Sequence, residues 1–206
     1  MTQIHTFKPY VVRRDRAEHV VAPAYDSMAP LERSAYIKAN PSNFIKTMRT
    51  PEDYFELEKP SLGIVLDHNF NEVQKMLEDS SFEIQQQEAL YIYRLHTRDH
   101  VQTAVIAEVP VTEYRQGRIH RHEHTRSEHE NRLTQYLQHV GVSSSPICLA
   151  YQDDARIDEI VELITQVSRC LTFLWTMESA SQFGRLPTLS RSIVFERSFW
   201  TSGLHT

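Results

Sequence analysis

Glycine is scarce, with five in 206 residues, and none forms a glycine-rich phosphate loop of either common kind. Cysteine is scarcer still, being confined to Cys148 and Cys170. Both stand in apolar surroundings and far apart in sequence, so buried free thiols in a reducing compartment are expected rather than a disulfide. No apolar run approaches the roughly 20 residues that span a bilayer. The start, Met1-Thr2-Gln3-Ile4-His5, lacks the basic and apolar regions of a secretory signal. A cytoplasmic location without membrane contact is therefore expected. An excess of positive charge is also missing. Against 22 Lys and Arg stand 27 Asp and Glu, a formal charge of -5, which gives no general attraction to nucleic acid. Nucleic acid is accordingly not an expected partner. What is present is ordinary for a globular protein: 40% hydrophobic and 24% charged residues, in a chain long enough for one well-cored domain.

Ile4 to Val12 reads as an opening strand interrupted near Pro9. After the bend at Ala22-Pro23, Asp26-Ser27 is expected to start a helix or a turn, with Asp26 as an N-cap. Pro30 opens a helix over Leu31 to Ala39, closed by Asn40-Pro41. Asn40 and Asn43 read as turn formers, and Asn43 to Met48 as a short strand. A loop-like acidic segment, Thr50 to Gly63, precedes a helix whose apolar face holds Phe70, Val73, Met76 and Leu77. The clearest β signal pairs Ala89 to His96 with Val101 to Val109 across a connection of hairpin length. Thr112 to Gln116 is a helical turn stopped by Gly117. Ser127-x-x-Glu130 reads as a capping box before a helix with the stripe Leu133, Tyr136, Leu137 and Val140, ended by Gly141. Pro146 to Tyr151 reads as a short apolar strand. Asp153 or Asp154 caps a further helix, buried along Ile157, Ile160, Val161, Ile164 and Val167. Leu171 to Met177 is the last clear strand, and periodicity fades from Glu178 onward apart from Ile193-Val194-Phe195. The expected fold class is α+β: a mixed sheet with flanking helices, in a single domain over 1–177 with a poorly patterned tail over 178–206.

Four of the eleven histidines lie between His120 and His129, inside the densest cluster of imidazoles, carboxylates and guanidiniums in the chain. Along an extended segment, His120, His122 and His124 share one face. They could converge on zinc, iron or manganese, with Glu123, Glu128 or His129 completing the shell, as in a metal-dependent hydrolase. The alternative is an anion site. A helix start offers free N–H groups, and Arg118, Arg121, Arg126 and Arg132 surround it with forks that suit phosphate. Glu123 could then hold magnesium or act as a base. A plain solvated loop is the third reading. His129 lies at the edge of the apolar stripe, where packing is as good an explanation as ligation.

Several short motifs, taken together, resemble the domain-of-unknown-function 1015 family. Ala22-Pro23-Ala24-Tyr25-Asp26 is similar to its "APPYD" signature, and Asn40-Pro41-x-Asn43-Phe44 to the segment that follows. Leu90-Tyr91-Ile92-Tyr93-Arg94 resembles its hairpin, and His122-Glu123-His124-Thr125 its "HE-x-T" motif, with Arg132-Leu133 after it. Ser145-Pro146-Ile147 through Tyr151 continues the series, and Leu174-Trp175-Thr176 extends it. The family in turn resembles ParB/sulfiredoxin-like nucleotide-binding proteins, some of them free-serine kinases. The resemblance implies ParB/sulfiredoxin-like elements in the fold. It also implies phosphoryl transfer from ATP or ADP, with magnesium, to a small hydroxylated metabolite such as L-serine. Longer members carry an Ala-Asp-Gly-His-His-Arg segment downstream that has no counterpart here, so a short or truncated member is expected.

On this reading Arg121, Arg126 and Arg132 contact phosphate, together with His122. Glu123 and His122 form the catalytic pair, with Glu123 as magnesium ligand or base. Thr125 donates a hydrogen bond, and Tyr25 and Asp26 line the same pocket. The partners are a nucleotide and a small metabolite. Two alternatives stand beside it: the metal-dependent hydrolase of His120, His122 and His124, and a non-catalytic regulatory module that binds ligand without turnover.

Overall fold

Proline cannot donate to a strand ladder, and at Pro9 the opening segment breaks into isolated bridges before it and a short strand after it. Before it, His5 and Phe7 bridge antiparallel to Glu108 and Ala89. After it, Tyr10–Val12 (β1) pairs antiparallel with Phe82–Ile84 (β2). The structure, a computed structural model, describes residues 2–55, 58–96, 100–121, 124–144, 146–167, 171–177 and 189–198. Its further strands are β3 (Leu90–His96), β4 (Val101–Ile106), β5 (Leu171–Met177) and β6 (Leu189–Ser198). Its helices are α1 (Ala17–Val20), α2 (Pro30–Ala39), α3 (Leu62–Glu78), α4 (Val111–Arg115), α5 (Ser127–Val140) and α6 (Ala155–Val167). Helices with separate small sheets make this an α+β protein. The sheets are not mixed as expected: every strand pair among the described residues is antiparallel. No helix among the described residues is long and apolar enough to cross a membrane.

Backbone contacts group into two compact units. The first holds residues 1–9, 85–120 and 147–206; the second holds 10–84 and 121–146. In the first unit the sheet order is β4-β3-β6-β5. The hairpin of β3 and β4 runs in register from Tyr91 opposite Ile106 to His96 opposite Val101. Ile193, Val194 and Phe195, the patterned residues of the C-terminal segment, lie on β6 between β3 and β5. Ala89, Tyr91 and Ile92 are buried, and Phe7 meets Tyr91 edge to face with centroids 5.4 Å apart. The α6 stripe is less buried than its period implies, since Ile157 and Ile160 are both exposed. The side chain of Val167 and all of Cys170 lie outside the described residues. Pro146 to Tyr151 forms no strand, and Ile147, Leu149 and Tyr151 are exposed. Apolar composition without alternation gave that segment no strand partner among the described residues. Cys148 within it is exposed rather than buried.

The second unit is built on α3. Val65, Leu66, Asn69, Val73 and Met76 are its buried residues, so Val73 and Met76 lie on the buried face as expected, with Leu77 packed beside it, while Phe70 is exposed. Asn69 turns inward because its amide donates to the Arg49 carbonyl at 2.8 Å. Val140 packs on Leu66 and Val73, with Tyr136 beside it. The rest of the α5 stripe departs from expectation, because Leu133 and Leu137 are exposed. Gly141 ends α5 at φ +76, the left-handed cap that only glycine adopts without strain. Phe44–Met48 is a 3-10 helix rather than a strand. Asn43 accepts from the Ile45 N–H at 3.1 Å and Thr47 donates its hydroxyl to the Phe44 carbonyl at 2.8 Å. Such local side-chain bonds favour a turn over a ladder. Asn43 also donates to the Val21 carbonyl at 2.7 Å, so this buried residue pins two segments together.

Candidate functional site

The helix start after the histidine cluster differs from its expected geometry in one informative way. Arg126, not Ser127, is the N-cap of α5, with extended φ -67 and ψ 129 and no side-chain capping bond. Ser127 is already inside the first turn, so its hydroxyl cannot close the expected capping box. The Glu130 N–H makes the ordinary helical bond, donating to the Arg126 carbonyl at 3.1 Å, and the Glu130 carbonyl accepts from the Thr134 hydroxyl at 2.8 Å. The first amides of α5 are thus taken up by no N-cap side chain. Arg121, His124, Thr125 and Arg126 are all exposed around this opening. The two residues expected to do chemistry, His122 and Glu123, lie outside the described residues. His129 is exposed, which removes the packing explanation.

Two other expected ligands are engaged elsewhere. Arg132 donates to Glu52 at 3.0 Å and to Glu128, one turn earlier, at 2.9 Å. In this structure Arg132 is therefore paired with two carboxylates. Arg118 forks onto the buried Glu113 carboxylate with both bonds at 2.6 Å. The same contact holds the Glu113 carboxyl below its usual range. Asp26 is exposed inside a short 3-10 turn, Tyr25–Ser27, whose N-cap is Ala24, and it caps nothing. Among the described residues no group of three or more His, Cys, Asp or Glu could hold a metal ion.

Tyr25, by contrast, is built into a buried polar network. Its hydroxyl donates to Thr50 Oγ1 at 3.1 Å and to Asp53 at 3.3 Å. The Arg33 guanidinium lies over its ring, 3.8 Å from the centroid. Arg33 also bonds the Tyr25 and Met28 carbonyls at 3.2 and 2.8 Å. Burial pushes the Tyr25 phenol up to about 12. Asp53 pairs with Arg33 at 2.7 Å with both side chains almost wholly buried. Its second oxygen accepts from the Thr50 N–H at 2.9 Å, in a capping box that opens the 3-10 turn Pro51–Asp53.

That turn is where two of the distant motifs meet. Tyr25 reaches Thr50 and Asp53, and Arg132 reaches the adjacent Glu52. Burial raises the Glu52 carboxyl, but the Thr50 hydroxyl and the Arg132 guanidinium outweigh it and leave it below its ordinary range. Arg33, Thr50, Glu52 and Asp53 were not singled out from sequence. The available signal was Thr50-Pro51-Glu52-Asp53, a Thr-x-x-Asp cap with proline at the first position.

Against known proteins, no curated protein and no solved structure matches the chain. The model of the family described as "Protein of unknown function (DUF1015)" matches residues 4–180. That match spans both units and every motif discussed above, and the chain belongs to the DUF1015 family.

Proposed function

We propose that this protein binds a nucleotide or a phosphorylated metabolite at the start of α5, as a cytoplasmic relative of small-molecule kinases. The supporting observation is the absence of a side-chain cap at Arg126. A helix that begins this way leaves N–H groups and a partial positive charge available to an anion. Arg121, Thr125 and Arg126 flank it as exposed donors, a donor set that fits phosphate oxygens. ATP or ADP with magnesium is the ligand that the family resemblance implies. Glu123 would hold the metal, and His122 would stand beside it. The reaction class is phosphoryl transfer to a metabolite hydroxyl such as that of L-serine. Tyr25 and Arg132 act here by fixing the Pro51–Asp53 turn, and Arg132 ties that turn to α5.

Calorimetric titration of the folded protein with ATP and ADP, with and without magnesium and L-serine, tests the reading. Saturable binding is expected, weakened about tenfold or more in Arg126→Ala through loss of a charge-assisted hydrogen bond. A folded protein that takes up neither nucleotide refutes it, as does an Arg126→Ala variant that binds like the parent. Assay of phosphoserine formation then separates a kinase from a module that binds without turnover.

A further inference from the structure

A second basic site lies in the same unit and shares no residue with the site at the start of α5. Ser34, Ile37 and Lys38 share one face of α2, and His68 and Glu72 share one face of α3. Together with Pro41, Lys46 and Arg49 they line a cleft of about 370 Å³. Three permanent cations thus face a single carboxylate, in a protein whose formal charge is -5. That carboxylate is already spent: Glu72 pairs with Lys46 at 3.1 Å and with Lys75 at 2.7 Å. Arg49 Nε is enclosed and has no hydrogen-bond partner among the described residues. A buried donor left unmade is costly, so the Arg49 head gains where a small shift brings it to an acceptor in the cleft that it lines. The Arg49 backbone is meanwhile held by Asn69 at 2.8 Å, so its side chain starts from a fixed base.

We propose that this cleft is a binding site for a small phosphate monoester, held by Arg49, Lys38 and Lys46. The charge imbalance suits a dianion. The volume falls in the range of small-ligand sites, roughly 300–1,000 Å³, and is generous for bare phosphate. Arg49 supplies the planar fork and the lysines supply point charges. His68 reports the local potential: burial, then the nearby Arg49, holds its imidazole below the usual value. A bound dianion reverses that balance and moves His68 upward.

The experiment follows the His68 ring resonances of the full chain by NMR during titration with glycerol 3-phosphate. Ionic strength is matched with chloride, because salt screens exposed charges. Saturable shifts are expected, with the His68 titration moving to higher pH. Arg49→Gln should weaken the response about tenfold or more, while Arg126→Ala should leave it intact. Lys38 is exposed at the end of α2, so Lys38→Gln weakens binding in a variant that keeps the fold even where Arg49→Gln does not. No saturable shift, an unaltered response in Lys38→Gln, or binding of inorganic phosphate with exclusion of the ester each overturns the proposal. Loss of the response in Arg126→Ala overturns it too, because the two sites would then be one.

Discussion

Removing the Asp53 carboxylate isolates the most heavily committed polar group in the second unit. Asp53 is 2% exposed and accepts from Arg33 Nε at 2.8 Å, the Thr50 N–H at 2.9 Å and the Tyr25 hydroxyl at 3.3 Å. Asp53→Ala leaves the Arg33 charge buried without its partner and opens the cap of the Pro51–Asp53 turn. Breaking one side of a buried ion pair costs about 3–5 kcal/mol, a large share of the roughly 5–15 kcal/mol that holds a typical domain together. For a chain of this size that is a fall in Tm of about 6–20 °C, at roughly 2–4 °C per kcal/mol. Urea denaturation followed by circular dichroism measures it, alongside Arg33→Met and the double variant. The double variant should be more stable than the sum of the singles implies, with a coupling of about 1–3 kcal/mol, because it carries no orphaned charge. A loss under about 1 kcal/mol in Asp53→Ala, or strict additivity, would refute the claim that this pair is buried and mutually dependent.

Three further outcomes follow from the same geometry. Asn43→Ala removes an N-cap and leaves the Val21 carbonyl without its donor, so chemical denaturation should register a loss of about 2–4 kcal/mol. Gly141→Ala meets no neighbour within 4 Å, so its whole cost is the strained backbone, about 1–2 kcal/mol, and Gly141→Asn should lose less. Tyr25 has a folded pKa of about 12 against an ordinary 10.0. The folded state prefers the neutral phenol, so its contribution is complete below pH 10.0 and is lost as pH rises toward about 12. Tyr25→Phe should flatten that part of the stability-pH curve, and an unchanged slope would show that the phenol is not the titrating group.

Local patterns carried much of the fold. Pro30 at the first turn of α2, the left-handed Gly141 after α5 and the hairpin pairing of β3 with β4 are each a short-range preference, and the structure has all three. Asp154 caps α6 as its sequence position implied, accepting from the Arg156 N–H at 3.0 Å. Where the structure differs, a competing local bond, a shifted helix start or the want of a paired neighbour decided it. Phe44–Met48 has strand-like composition, yet Asn43 and Thr47 bond their own backbone and wind it into a 3-10 helix. Ser127 and Glu130 have capping spacing, but the helix begins one residue early and the box does not close. Pro146 to Tyr151 is apolar enough for a strand but pairs with none among the described residues.

The cluster from Arg118 to Arg132 was legible as a charged junction before a helix, and the structure keeps Arg121, His124, Thr125 and Arg126 exposed at that junction. Which arginines are available could not be read from spacing, because an ion pair is decided by its acceptor. Arg118 is claimed by Glu113, five residues earlier, and Arg132 by Glu52, eighty residues away in sequence. The sequence by itself determined the helices α2, α3, α5 and α6, the pairing of β3 with β4 and the membership signature shared by Tyr25, Asn43 and the histidine segment. Only the tertiary structure brought Tyr25, Arg33 and Asp53 into one buried network and set Lys38, Lys46 and Arg49 around a cleft facing His68. Burial and charge pairing are properties of neighbours in space, and neither is encoded in the periodicity of a single segment.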